Sequence, residues 1–153
     1  MPGLEAFEGA AKFQPDHLSF AVSQLAASQA AVALKRNVNA ATSGALNITS
    51  VVAPFAGSII GVRLNSTANK TAGVATVTPT INGTAITAPT SLVAVAWANS
   101  SLKKNQQVDA QQTGARFNAG DLIGVKITTD GSFTPTTNDV EVIIDVLYEG
   151  VQN

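Results

Sequence analysis

Towards its C-terminal end the chain alternates apolar and polar residues with a period of two, and that period restricts the fold more than any other feature of the sequence. In Asp139–Tyr148, Val140, Val142, Ile144, Val146 and Tyr148 fall on one face and Glu141, Ile143, Asp145 and Leu147 on the other, because successive strand side chains point to opposite sides. In Asp121–Thr129, Ile123, Val125 and Ile127 share a face, with Lys126 and Thr128 opposite. Both segments read as strands. The first is expected to be central, paired with Asp139–Tyr148 or with a strand across the sandwich. Asp121 follows Gly120, where its carboxylate is placed to accept backbone N–H groups and fix the turn. Asp130–Asn138 between the strands is dense in turn formers. The outer face of the last strand is not cleanly polar, and Ile143 and Leu147 there suit contact with another layer or subunit.

Similar short segments run upstream: Ala30–Asn37, Leu46–Val52, Ser58–Leu64, Val74–Ile81, Thr84–Ala88, Leu92–Ala96 and Gln106–Gln111. Glycines punctuate them. Ile81-Asn-Gly-Thr84 is a two-residue hairpin signal, since Asn-Gly accepts positive φ at both turn positions. Pro79 and Pro89 lack the N–H that a ladder needs, so their strands should lie at an edge or be interrupted. About eight or nine short strands with Gly and Pro between them imply an all-β protein, a jelly-roll-like antiparallel β-sandwich over residues 28–153.

Residues 1–27 differ. They hold the only histidine, His17, and three of the six phenylalanines, Phe7, Phe13 and Phe20. We expect an N-terminal arm, extended or a short helix capped by Asp16 with Leu18, Val22 and Leu25 on one face. Its phenylalanines suit docking on a neighbour, either the chain's own sheet or another subunit.

At 153 residues, one domain with an arm is the natural count. Hydrophobic residues make up 45%, enough for a core, while charged residues are only 12% against a typical value of about 25%. Thr, Ser, Asn, Gln and Ala must therefore cover much of the surface, which suits sheets and polar subunit contacts. The net charge of −1 attracts neither nucleic acid nor an anionic membrane. Charge is unevenly placed: residues 17–120 carry seven Lys and Arg against Asp109, and residues 121–153 six acids against Lys126. Without cysteine there are no disulfides, thiolates or Cys-based zinc sites. A signal peptide and a membrane span are not expected, because no basic segment precedes an apolar run and no run approaches about 18 apolar residues.

Groups suited to catalysis are few, and no catalytic residue, metal or cofactor is expected. His17 stands alone in the arm, far in sequence from any triad partner. Asp139 and Glu141 share a strand face and would need a substrate cleft to act as a glycosidase pair. Asp130 and Asn138–Asp139 lack the ligand density of a calcium loop. Five Asn-x-Ser/Thr triplets, at Asn47, Asn65, Asn69, Asn82 and Asn99, fit chance in a chain so rich in Asn and Thr. Trp97 is the one candidate for a sugar-stacking platform, but a core or interface tryptophan is the simpler reading. Lys35-Arg36 and Lys103-Lys104 are isolated pairs without interleaved aromatics, which argues against single-stranded nucleic acid.

Three stretches carry a resemblance: Val51-Val-Ala-Pro-Phe-Ala-Gly-Ser-Ile-Ile-Gly-Val62, Thr71-Ala-Gly-Val-Ala-Thr-Val77 leading into Ile81-Asn-Gly-Thr84, and Phe117-Asn-Ala-Gly-Asp-Leu-Ile-Gly-Val125. In this order they resemble β-sandwich domains of tailed-bacteriophage virion proteins, such as head decoration, head-fibre and tail-associated proteins. The resemblance spans roughly residues 45–148 and brings no catalytic residue with it. It implies a jelly-roll-like sandwich that assembles as a homotrimer in the virion, on the capsid surface or the tail, after synthesis in the host cytoplasm. Two roles stay open: a decoration protein on the major capsid protein, and a lectin-like receptor-binding module of a fibre. Interface candidates are Phe7, Phe13, Phe20, Trp97, Ile143 and Leu147.

Overall fold

A computed structural model of the protein describes residues 14–36, 48–108 and 115–150. Twelve antiparallel strands build two sheets. They are β1 (Gln14–Val22), β2 (Val32–Ala33), β3 (Lys35–Arg36), β4 (Ser50–Val52), β5 (Gly57–Ser66) and β6 (Ala75–Ile81), then β7 (Thr84–Ala85), β8 (Val95–Ala96), β9 (Lys103–Gln107), β10 (Ala115–Phe117), β11 (Leu122–Thr129) and β12 (Val140–Tyr148). Sheet A runs β10-β5-β12-β1-β3, with β9 also on β5; sheet B runs β2-β11-β6-β7, with β4 also on β11 and β8 on β6. The first and last long strands are neighbours and the chain passes repeatedly from one sheet to the other, which is the winding of a jelly roll.

The two C-terminal strands lie in opposite sheets, so β11 pairs with β2, β4 and β6 of its own sheet and not with β12. Their inward faces are the expected ones. Ile123, Val125 and Ile127 from sheet B meet Val140, Val142, Ile144, Val146 and Tyr148 from sheet A, all nearly fully buried. Leu18 and Phe20 of β1 and Val62 and Leu64 of β5 extend that layer.

Of the two forms expected for the arm, extended or a short helix from Asp16, Gln14–Val22 takes the extended one, as a strand. Leu18, Val22 and Leu25 fit a helical spacing, but Leu18, Phe20 and Val22 fit a period of two equally well, and pairing with β12 over nine residues decides between them. Gln14–Val22 is thereby part of this chain's own sheet. Phe20 is fully buried, with the Arg36 guanidinium 5.6 Å above its ring. Trp97 is also a core residue, 2% exposed, its ring 5.9 Å from that of Phe133 and its Nε1–H donating to the Ser101 carbonyl at 2.9 Å. Both were interface candidates, and both are inaccessible to a partner. Phe7 and Phe13 lie outside the described residues.

The segment expected as one strand from Ala30 changes sheets at Leu34: β2 pairs with β11 and β3 with β1. Leu34 is buried at the crossing and its N–H donates to Val125 O at 3.0 Å. Thr84–Ala88 and Leu92–Ala96 shorten to two residues each because turns around Pro89 take the intervening bonds, Leu92 N to Pro89 O and Val93 N to Thr90 O. Pro79 sits where the outer edge of β6 is interrupted, between the ladder to β8 at Thr76–Val77 and the ladder to β7 at Thr80–Ile81. Its carbonyl accepts Ile86 N–H, and since N and C=O of one residue point the same way in such a strand, its missing donor faces the gap.

The Asn82-Gly83 turn has φ of 52° and 77°, as a two-residue hairpin requires. It is tied to the start of β11: Asn82 Nδ2–H donates to Asp121 Oδ1 at 2.8 Å, Leu122 N–H donates to Asn82 Oδ1 at 2.9 Å, and Asn118 N–H donates to Asp121 Oδ2 at 2.7 Å. These bonds, the one from the Asn118 backbone first, hold the Asp121 carboxyl below its ordinary value. Replacing Asp121 with Ala should therefore lower the melting temperature while leaving the far-ultraviolet circular dichroism spectrum intact. An unchanged melting curve would show that the hairpin does not need this tie.

Candidate interaction surface

The strand register of sheet A lays its outer face out as a grid. One row crosses four strands: His17 on β1, Asp145 on β12, Gly61 on β5 and Gln107 on β9. The next holds Ser19, Ile143, Arg63 and Asn105, and the third Ala21, Glu141, Asn65 and Lys103. Ile60 has no partner on β12, which makes it a bulge in β5, and beyond it Leu147 lies between Pro15 and Ser58.

Asp145 organises this face. It is 4% exposed although it points away from the core. Arg63 grips it with Nη2 at 2.7 Å from Oδ1 and Nε at 2.9 Å from Oδ2, Gln107 Nε2–H donates to Oδ2 at 2.7 Å, and His17 Nδ1 lies 2.6 Å from Oδ1. Burial pushes the carboxyl up, but the hydrogen bonds from Arg63, Gln107 and His17 outweigh it and hold it below the ordinary carboxylate range. The same contact raises the Arg63 guanidinium. Gly61 makes the arrangement feasible, because a Cβ there would stand 2.4 Å from the Gln107 side chain. Without one, Gln107 lies flat across β5 and reaches two strands over.

Four donor atoms occupy the Asp145 carboxylate, so it is not free to act as a base. Ile143 and Leu147 are half-buried on the same surface. An open groove beside Ile143 is lined by Arg63, Asn65, Lys103, Asn105 and Glu141. The other acids considered as chemical groups are engaged in local structure. Asp139 Oδ1 accepts Ser23 Oγ–H and Gln24 N–H, both at 2.9 Å, Glu141 accepts Ser19 Oγ–H at 2.7 Å, and Asp130 Oδ1 accepts Ser132 N–H at 3.1 Å. Among the described residues, no three His, Cys, Asp or Glu gather to hold a metal ion.

Sequence reasoning placed Ile143, Leu147 and Asp145 on one face but did not bring His17, Arg63 and Gln107 to them. Two signals pointed there: an acid set between Ile144 and Val146 in a largely apolar strand, and a glycine inside the largely apolar run Ser58–Leu64.

No protein-family model matches the sequence, and no curated protein matches it. Among solved structures, the chain is similar to one in the cyanophage Pam1 capsid asymmetric unit, with a TM-score of 0.42 and 18% identity, over 92% of this chain and 87% of that one.

Proposed function

We propose that this chain is a structural protein of a tailed-bacteriophage virion, and within that class a homotrimeric decoration protein that binds the major capsid protein and stabilises the shell. The observation that carries this reading is where the three resembling stretches fall. Val51–Val62 runs from β4 through a turn into β5, Thr71–Thr84 covers β6 and its hairpin, and Phe117–Val125 joins the end of β10 to β11. The likeness therefore resides in the framework of the sandwich, in strand-and-turn units of both sheets. The outer face of sheet A, rich in polar and half-buried apolar groups, is the kind of surface such a protein would use. A ligand that binds only the assembled shell stabilises it by mass action. In this reading Ile143 and Leu147 contact a second copy, and residues ahead of Gln14, with Phe7 and Phe13, form the arm that docks on a neighbour.

Sedimentation equilibrium tests the oligomer and co-sedimentation with capsids tests the partner. The wild type should sediment as a trimer at tens of micromolar. Leu147→Lys should yield a monomer with an unchanged circular dichroism spectrum, since a charge on that face is solvated in the monomer and stranded in the interface. The trimer should also pellet with shells that lack it and raise their melting temperature. A monomeric wild type would remove the trimer. Failure to bind shells, together with melting that responds to a glycan, would favour the receptor-binding module instead.

A further inference from the structure

We propose that Lys70 and Asn99 are joined by an intramolecular isopeptide bond. Lys70 is 2% exposed, one of the most deeply buried large side chains in the protein, yet it takes part in none of the ion pairs among the described residues. Its Nζ reaches two uncharged oxygens, the Gly73 carbonyl and the side-chain amide oxygen of Asn99. The two segments are held together independently of that contact, by backbone bonds from Ser100 N to Lys70 O at 2.6 Å and from Lys70 N to Ser101 O at 3.3 Å. Asn99 is thus presented to the lysine by the backbone.

An ammonium in this position brings three donors and a full charge into a site with two acceptors and no anion, an arrangement that buried charges avoid. A secondary amide fits better. Its one N–H would donate to Gly73 O, its carbonyl oxygen would be the present Asn99 Oδ1, and no charge would remain to be desolvated. The step is self-contained: the free-amine form of Nζ attacks Asn99 Cγ, the Nζ–Cγ bond forms, and the Cγ–Nδ2 bond breaks. Nδ2 leaves as ammonia, carrying the proton that Nζ gives up. No oxidant or other reactant is consumed. Asn99 is exposed on its other side, so ammonia departs directly into solvent. The bond would close the chain from Lys70 to Asn99 around β6, β7 and β8. In a chain without cysteine, it would restrict the unfolded state as a disulfide does.

Mass spectrometry of the purified, denatured protein tests this. The expected result is a species lighter than the sequence mass by one ammonia, together with a proteolytic fragment in which the Lys70 and Asn99 peptides are linked and Lys70 is not cleaved by trypsin. Lys70→Arg and Asn99→Ala should each restore the full mass. Full sequence mass with free Lys70 in the folded wild type would overturn the proposal. So would a species lighter by one ammonia that takes up one water in mild alkali and leaves Lys70 cleavable, because that identifies a succinimide at Asn99-Ser100. The wild-type peptide map decides the matter even if both variants fail to fold.

Discussion

Val125→Asp is expected to leave the protein without a folded state. Val125 is 1% exposed in the middle of β11, opposite Pro79 of β6, with its carbonyl accepting Leu34 N–H and its side chain directed at sheet A. The cluster it packs in is predominantly aliphatic. Burying the charge, or protonating it and burying an unsatisfied acid, costs on the order of 5 kcal/mol. A domain's whole stability is roughly 5–15 kcal/mol. Val125→Ala is the control, since it removes only methyl groups and should cost about 1–2 kcal/mol while folding normally. The measurement is circular dichroism with thermal melting of the soluble fraction. A cooperative transition in Val125→Asp within a few degrees of the wild type would show that β11 is not the centre of the core.

The core was legible because it depends on a short-range pattern. A period of two in Leu122–Thr129 and Val140–Tyr148 determines which side chains face inward whichever strands they pair with, and the alternation survives the finding that the two strands belong to opposite sheets. Pairing itself was not legible, because it is settled by contacts more than a hundred residues apart, such as His17 with Asp145 and Phe20 with Val142. The same distance explains why the sequence left the segment after Asp16 open between a helix and an extended form. Isolated, Leu18 to Leu25 suits either period; beside β12, only the strand satisfies the backbone groups of both segments. Turn chemistry was read correctly where it is local, as at Asn82-Gly83.

The outer face of sheet A was half legible for a related reason. The sequence assigns Ile143, Asp145 and Leu147 to one side of one strand, but the meaning of Asp145 comes from three other strands, each at its own register. Arg63 and Gln107 are ordinary surface residues in sequence, and only a four-strand row with glycine at position 61 lets them converge. Phe20 and Trp97 illustrate the converse. Their size and apolarity suited an interface as well as a core, and the sheet pairing of β1 and the packing of Trp97 on Phe133 resolve that choice in favour of the core.

Outside the core, the largest effect is expected from Asp145→Ala. The substitution removes the acceptor for Arg63 Nε and Nη2, for Gln107 Nε2 and for His17 Nδ1. The Arg63 side chain is 37% exposed, so water replaces part of what it loses, and the cost falls short of that for a fully buried pair. About 2 kcal/mol is the expected loss, that of charge-assisted hydrogen bonds, or roughly 4–8 °C in melting temperature for a domain of this size. The pH dependence separates this from simple loss of packing. The folded protein holds the Asp145 carboxyl below its unfolded value of about 3.9, so the native state binds fewer protons than the unfolded state in that range. The stabilisation is therefore complete above the unfolded value and disappears as pH falls through the lower, folded one. The gap in melting temperature between wild type and Asp145→Ala should be present at pH 5 and should close below about pH 4. Asp121 and Asp139, also held low by their hydrogen bonds, titrate in both proteins and cancel in the difference. A gap that persists undiminished in acid would mean that Asp145 acts by filling space, and that the charged cluster on the outer face of sheet A contributes nothing to its stability.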